Sequence, residues 1–485
     1  MAAWVWTAPD VDDVIGDVLT KYDAQRRRGF NLTIKSTSGG YNSHGDDRHV
    51  YFGIDDGSEP VWEDCGRPSL TSNYVSNSLT VFDGNLYAAN TDAELEDDWC
   101  HVFRYLGGQR WENCGRVGNR RTHGVGPMLV HHGRLYAATW NCDWTRVGRS
   151  EPLEDYCGVY RYAGGTTWED CGQPGNCRRL FGLASYRGQM YVAAEDGRCY
   201  VYEGDRNWIE SGRFPNYAHP LGIHAGKLYA GVLNPAGVWE FNGKDWIERG
   251  NPQGSEERCN QIHALEVYRR HLHATTWPEG HVCRLEANGE WTDCGRLGDA
   301  MEITALVVHN GQLYGGTIPR AEVFRFDDEQ NWTSIRRFLD PAGYEFKNSN
   351  EWALVTSLTV FAGKVFASMG SCTSSRLDAP ADFRGQVCAM QTGPCVSYDR
   401  DLGALWRHVT AVKRGKRLEL HVNGEKACES SVFDATRFDL NVDQPLRIGL
   451  GETDCFSGRI RDVRAYRLAL DTSSIRQLVQ SNHPT

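Results

Sequence analysis

Residues 79–90 read LTVFDGNLYAAN and residues 102–115 read VFRYLGGQRWENCG. Each is an alternating apolar run, a turn carrying Asp-Gly or Gly-Gly, and a second run, the pattern of a β-hairpin. Together they make four short antiparallel strands, and the unit returns until about residue 391. The second strand recurs at Leu86-Tyr87, Leu135-Tyr136, Met190-Tyr191, Leu228-Tyr229, Leu272-His273, Leu313-Tyr314 and Val365-Phe366, seven times. A third strand starts at Val102, Val159, Cys199, Val238, Val282, Val323 and Val387, and a fourth-strand Trp stands at 62, 111, 168, 208, 246, 291 and 332. From Trp62 to Trp332 the interval averages 45 residues. The first Trp precedes any hairpin and the last hairpin has no Trp after it, so Trp62 is expected to supply the outer strand of the last unit. A four-strand repeat whose ends exchange a strand is a closed ring, a seven-bladed β-propeller, and closure removes open strand edges.

The chain has 485 residues, 40% of them hydrophobic, enough for more than one core. Its net charge of −11 and lack of a long basic run oppose a nucleic-acid backbone, so no nucleic-acid partner is expected. No apolar stretch is long enough to cross a bilayer, and the start, MAAWVWTAPDVDDV, lacks the regions of a signal peptide. No membrane association is expected, and the chain as given reads as cytoplasmic, or as extracellular if a leader was removed. Of the 16 cysteines, Cys65, Cys114, Cys171 and Cys294 occupy one position of the repeat, too far apart between blades to bridge, and read as small buried thiols.

Ahead of the repeat, Val11, Val14, Ile15, Val18, Leu19 and Tyr22 are spaced as on one face of a helix, with acids early and Arg26, Arg27 and Arg28 late. This predicts an amphipathic helix in residues 1–29, which could pack on its own molecule or dock an upstream effector domain or partner. FNLTIK from residue 30 and VYFGID from residue 50 are strand-like but do not fit the blade pattern.

After the repeat, residues 406–425 read WRHVTAVKRGKRLELHVNGE, residues 446–451 LRIGLG, and residues 456–478 FSGRIRDVRAYRLALDTSSIRQL. This combination resembles the laminin-G-like, concanavalin A-like jelly-roll domains. The stretch is too short for a whole jelly roll, and FNLTIK and YFGIDDG resemble the family's opening strands. The resemblance therefore covers about residues 25–58 and 393–482. The expected organisation is an N-terminal segment (1–29), a first part of the jelly roll (30–58), the inserted propeller (59–392) and a second part of the jelly roll (393–485). The resemblance implies a lectin-like or protein-binding role, and in many relatives a calcium ion near the rim. Candidate oxygen ligands are Asp46, Asp47, Asp55, Asp56, Glu452 and Asp454, with no spacing that demands calcium. No other cofactor is expected.

In a propeller, the turns from second to third strand and from blade to blade share one face around the channel. Here the former carry Trp140, Asn141, Asp143, Glu195, Asn234, Trp277, Glu279 and Arg320, and the latter Arg179, Tyr217, His219, Asn260, His263 and Glu302. Aromatic rings stack on sugar faces while amides and carboxylates bond hydroxyls, so these residues suit a glycan or a protein segment. Each can equally be ordinary loop polarity or a brace between blades. The recurring Trp and Leu-Tyr pairs belong to the fold, and the His131-His132 pair reads as an exposed turn without a metal role. No sialidase-type Ser-x-Asp-x-Gly-x-x-Trp box, nucleophile elbow, Walker loop or His-Glu-x-x-His helix occurs. The expected function is non-catalytic recognition; a sensor or scaffold module, or a glycoside-active enzyme using paired carboxylates, are the alternatives.

Overall fold

The computed structural model describes all residues except 39–42, 94–95, 120–121, 142–156, 339–351, 373–384, 439 and 482–485; for 37–38, 73–77, 92–93, 96, 352 and 371–372 it describes the backbone alone. The fold is nearly all β, a propeller set into a jelly-roll sandwich.

Blade one pairs Ser72–Phe82, Asn85–Ala93, His101–Tyr105 and Trp111–Arg116 in order. Six further four-stranded units follow, with innermost strands Gly124–His131, Leu180–Tyr186, Ala218–His224, Leu265–Tyr268, Glu302–His309 and Trp352–Phe361. Each innermost strand touches those of the two neighbouring blades, and the last touches the first, so the ring is closed. The outer strand of the last blade is Val61–Asp64, with Trp62 opposite Met390. The chain thus enters and leaves the propeller side by side.

The Trp-x-Asp/Asn-Cys-Gly end of the repeat is the joint between blades. Trp111, Trp168, Trp208 and Trp332 donate their indole N–H to the backbone oxygens of Cys65, Cys114, Cys171 and Cys294 on the preceding outer strand, at 2.8–3.0 Å. Each such bond is worth about 1 kcal/mol net. Asn113, Asp170 and Asp293 accept from the N–H of Gly115, Gly172 and Gly295, closing a tight local turn. Those glycines have φ of +92°, +90° and +94°, and a Cβ there would lie 2.2–2.3 Å from a carbonyl oxygen of the next blade. The four cysteines are free and buried, as small apolar thiols.

The jelly roll draws strands from both ends of the chain. One sheet runs Glu425–Glu429, Arg417–Val422, Arg407–Arg414, Ala2–Trp6 and Arg459–Arg464; the other runs Arg447–Ile448, Ile15–Asp23, Arg28–Ser38, Ser43–Asp56 and Cys395–Tyr398. Their inner faces share one core built from residues such as Ala3, Val5, Val18, Leu32, Phe52, Val409 and Leu420.

The helix expected near the N-terminus is a strand. Ile15–Asp23 pairs with Arg28–Ser38, and a bulge between Asp17 and Leu19 breaks the alternation. Ile15, Val18 and Leu19 pack into the sandwich core, whereas Val11 and Val14 pack into the propeller. A bulged segment buried against two cores shows apolar residues at helix-like intervals without being a helix. Among the described residues, the α-helix lies instead at Thr472–Ser481, its start capped by Asp471, which accepts from Ser474 N–H at 2.7 Å.

The two parts meet along a complete ring of contacts. The turn between first and second strands of every blade bonds to the jelly roll or to the segments leading into it. The pairs are Gly84 N to Asp399 O, His132 N to Asp46 Oδ2, Arg187 N to Val11 O, Gly226 N to Asp12 O, Arg269 N to Glu452 O, Asn310 Nδ2 to Ile54 O and Gly363 N to Ser397 Oγ, all at 2.7–3.2 Å. The strand Ser43–Asp56 also pairs in parallel with blade three, Ser43 opposite Leu183 and His44 opposite Ala184. Lys35 beside it forms a buried 2.8 Å ion pair with Glu266 of blade five. This hairpin of the jelly roll stands in the lower mouth of the channel.

Candidate functional site

Docking of the jelly roll on the lower turns leaves the blade-entrance and second-to-third-strand turns on the opposite, upper face. Four consecutive blades start there with a polar residue: Arg179 precedes Leu180–Tyr186, His219 is second in Ala218–His224, His263 precedes Leu265–Tyr268, and Glu302 opens Glu302–His309. These residues form one continuous arc. The Arg179 guanidinium lies 5.1 Å from the Phe181 ring centre and 5.6 Å from that of Tyr217. Phe181 and Tyr217 are stacked at 5.1 Å, and Phe181 sits 4.3 Å from His219. His219 meets His263 edge-on at 4.9 Å, and His263 Nδ1 is 3.1 Å from Glu302 Oε1. On its other side, His263 Nε2 is 2.8 Å from Gln261 Oε1.

Burial sets the charge of this arc. It pushes the Glu302 carboxyl up to about 8 and His263 down to about 3, and holds His219 well below the usual imidazole range, helped by the nearby His263 and Arg179 charges. Near neutrality, Glu302 is mostly a carboxylic acid and both imidazoles are neutral. The deep part of the arc therefore holds uncharged donors and acceptors against the fully buried Phe181 ring, while the Tyr217 ring stacked on it is half-buried. At the other end, the Arg179 cation is held by Glu195, whose Oε1 accepts from Nε at 3.0 Å and Nη2 at 2.6 Å.

The remaining sequence candidates divide by position. Trp140 is 1% exposed; it donates Nε1–H to Leu180 O at 2.6 Å and braces Phe181, so it presents no face to a ligand. Asn141 is buried, its backbone N–H bonded to Arg178 O at 2.7 Å. Asp143 lies outside the described residues. Asn234 is exposed, linked through its N–H to half-buried Asn260 at 2.8 Å. Trp277 is half-buried on the rim, opposite Gln261. Glu279 pairs with Arg258 at 3.2 Å and Arg320 with Asp299 at 3.4 Å, both nearer solvent. Glu195, Glu279 and Glu302 are thus each held by a different basic residue. Phe181, the centre of the aromatic stack, escaped the sequence reading because it sits inside a strand run. Its spacing of two from Arg179 places both side chains on one face, a signal that alternation could have supplied.

The acids considered for calcium are spread along the seam. Asp46 accepts from the N–H of His132, Asp47 lies 3.7 Å from His49, Asp55 accepts from Tyr22 Oη at 3.0 Å, Asp56 pairs with Arg437 at 3.1 Å, Glu452 with Arg269 at 2.7 Å, and Asp454 lies 3.5 Å from His224. Among the described residues, no helix is long and apolar enough to cross a membrane.

Residues 400–476 match the concanavalin A-like lectin/glucanases superfamily. No curated protein matches the chain. Among solved structures, a catalytically inactive variant of virginiamycin B lyase from Staphylococcus aureus with quinupristin is similar at 12% identity and TM-score 0.49, covering 69% of this chain and 99% of that one. YCF48 from Cyanidioschyzon merolae is similar at 12% identity and TM-score 0.46, covering 68% and 98%. The extracellular domain of the putative one component system BT4673 from B. thetaiotaomicron is similar at 14% identity and TM-score 0.46, covering 68% and 40%. The strand pairing and the family match together describe a β-propeller carried by a concanavalin A-like jelly roll.

Proposed function

We propose that this chain is a non-catalytic recognition protein that takes an uncharged, polar ligand, a glycan or a segment of protein, at the upper mouth of the propeller. The observation that carries this reading is the arc from Arg179 to Glu302, which lies at the mouth opposite the jelly roll and sets the half-buried Tyr217 ring, backed by the fully buried Phe181, beside neutral hydrogen-bonding groups. Hydroxyls and amides are the ligand groups such a surface satisfies without an uncompensated buried charge. A phosphate-rich ligand is disfavoured, because Arg179 is already neutralised by Glu195.

The test is a glycan array run beside a pull-down from the source cell's lysate, with Tyr217→Ala and Trp277→Ala as the variants. Tyr217 and Trp277 are only half-buried, so both changes should leave the fold intact. Loss of binding by at least tenfold in either variant supports the reading. Binding unchanged in both sinks it. Array binding selects the glycan, and a stoichiometric protein with a silent array selects the protein segment.

A second reading rests on the His263–Glu302 pair. A protonated carboxyl 3.1 Å from a neutral imidazole is an acid–base couple, and strongly shifted groups in a cleft are a signature of proton transfer. Turnover of a bound glycan that disappears in Glu302→Gln while binding persists would move the chain to the enzymes. The route to an effector through an N-terminal helix loses its basis, since that segment is a strand within the sandwich.

A further inference from the structure

The lower turn of blade two carries His131 and His132 side by side. Successive side chains of a strand point to opposite faces. His132, however, has φ +48°, in the left-handed region, and the two rings come to the same side with centres 4.1 Å apart. His131 is buried, not exposed as the turn position suggested, whereas His132 is open to solvent.

Both rings face one carboxylate of the jelly roll. Asp46 Oδ2 is 3.5 Å from His131 Nδ1 and 3.6 Å from His132 Nδ1. The carboxylate is fixed by the His132 backbone N–H, which donates to its two oxygens at 3.1 and 2.9 Å. Ser185, from the innermost strand of blade three, donates its hydroxyl to the same Oδ2 at 3.1 Å and lies 2.7 Å from His131 Nδ1. Two imidazole nitrogens, a carboxylate oxygen and a hydroxyl therefore converge from three separate parts of the fold.

The spacing has a chemical meaning. Zinc held tetrahedrally at about 2.0–2.1 Å separates its ligand atoms by roughly 3.3 Å. The contacts of 2.7, 3.1, 3.5 and 3.6 Å scatter around that edge length. Two imidazoles and one carboxylate are also a common donor set for zinc, with a fourth position left to water. We infer that Asp46, His131 and His132 form a binding site for zinc, with Ser185 beside the fourth corner. The ion would bridge jelly roll and propeller where Asp46 meets the channel wall.

A second cluster, Asp13, His224 and Asp454, brings three ligand atoms together at the same seam under blade four. It offers a single imidazole and two carboxylates, a poorer set for zinc, and serves as the internal control.

The experiment uses the whole chain, stripped with a chelator, reloaded with zinc and dialysed, with metal content measured per chain. One zinc per wild-type chain is expected, with a melting temperature raised by the metal, as binding to the folded state alone requires. His132→Ala should lower zinc affinity at least tenfold and abolish the thermal shift, whereas Asp454→Asn should leave both unchanged. Because the His132 side chain is exposed, its removal should not prevent folding; His132→Gln serves if it does. Cobalt in place of zinc should give the visible bands of a tetrahedral nitrogen and oxygen site without a thiolate charge-transfer band, which separates this site from the many cysteines. Wild-type protein that retains no zinc, equal zinc in wild type and His132→Ala, or loss confined to Asp454→Asn would each overturn the inference.

Discussion

Nδ1 of His263 lies 3.1 Å from Oε1 of Glu302, and both side chains are buried in the wall of the channel. Burial holds the acid protonated up to about pH 8 and the imidazole neutral down to about pH 3. The two groups bias stability in opposite directions. Glu302 binds its proton more tightly folded than unfolded, so its contribution declines as pH rises from the ordinary glutamate range to about 8. His263 binds its proton less tightly folded, so its contribution is lost as pH falls below the ordinary histidine value of 6.5. Between pH 6.5 and 8 only the acid of this pair titrates. Glu302→Gln should therefore remove a stability loss of at most about 1.4 kcal/mol per pH unit in that window. Denaturant midpoints of wild type and variant that run parallel across the window would contradict the shifted carboxyl.

The two channel-face tryptophans should behave oppositely. Trp140 is fully buried and bonded to Leu180, so Trp140→Ala should cost about 3–5 kcal/mol of stability. Trp277 is half-buried on the rim, and its replacement should cost clearly less and act on ligand binding instead. Thermal melts and binding isotherms of both variants separate the roles.

Gly172 and Gly204 have nearly the same φ, +90° and +91°, but different surroundings. A Cβ on Gly172 would lie 2.2 Å from Arg206 O across the blade joint, whereas Gly204 faces open space. Gly204→Ala should cost only the backbone strain, of order 1–3 kcal/mol, and Gly172→Ala distinctly more. Equal losses in chemical denaturation would show that the close approach of blades is unimportant.

Lys35 and Glu266 form a buried ion pair that ties the jelly-roll hairpin to blade five. Lys35→Met leaves a carboxylate without its partner and should cost about 3–5 kcal/mol, most of it recovered in the Lys35→Met, Glu266→Gln double variant. A double-mutant cycle by urea denaturation measures the coupling; additive losses would show that the pair is incidental.

The sequence alone determined the ring. Seven Trp, seven third strands and seven Leu-Tyr-like hairpins, offset by one strand, required an exchange between the ends, and Trp62 opposite Met390 realises it. It also carried the second half of the jelly roll, whose residues from Trp406 to Leu478 hold a continuous motif. These features were legible because local periodicity encodes strands, and repetition of a local pattern encodes a solenoid or ring. The segment from Val11 to Tyr22 was misread because its apolar residues serve two different cores, a demand that no local period describes. Only the tertiary structure decided that the jelly roll docks on all seven lower turns, that Phe181 joins Arg179 to Tyr217, that Trp140 is a brace, and that Asp46 meets His131 and His132. Those relations join residues from different blades, or from the jelly roll and the propeller, and their distances are set by ring closure and domain docking.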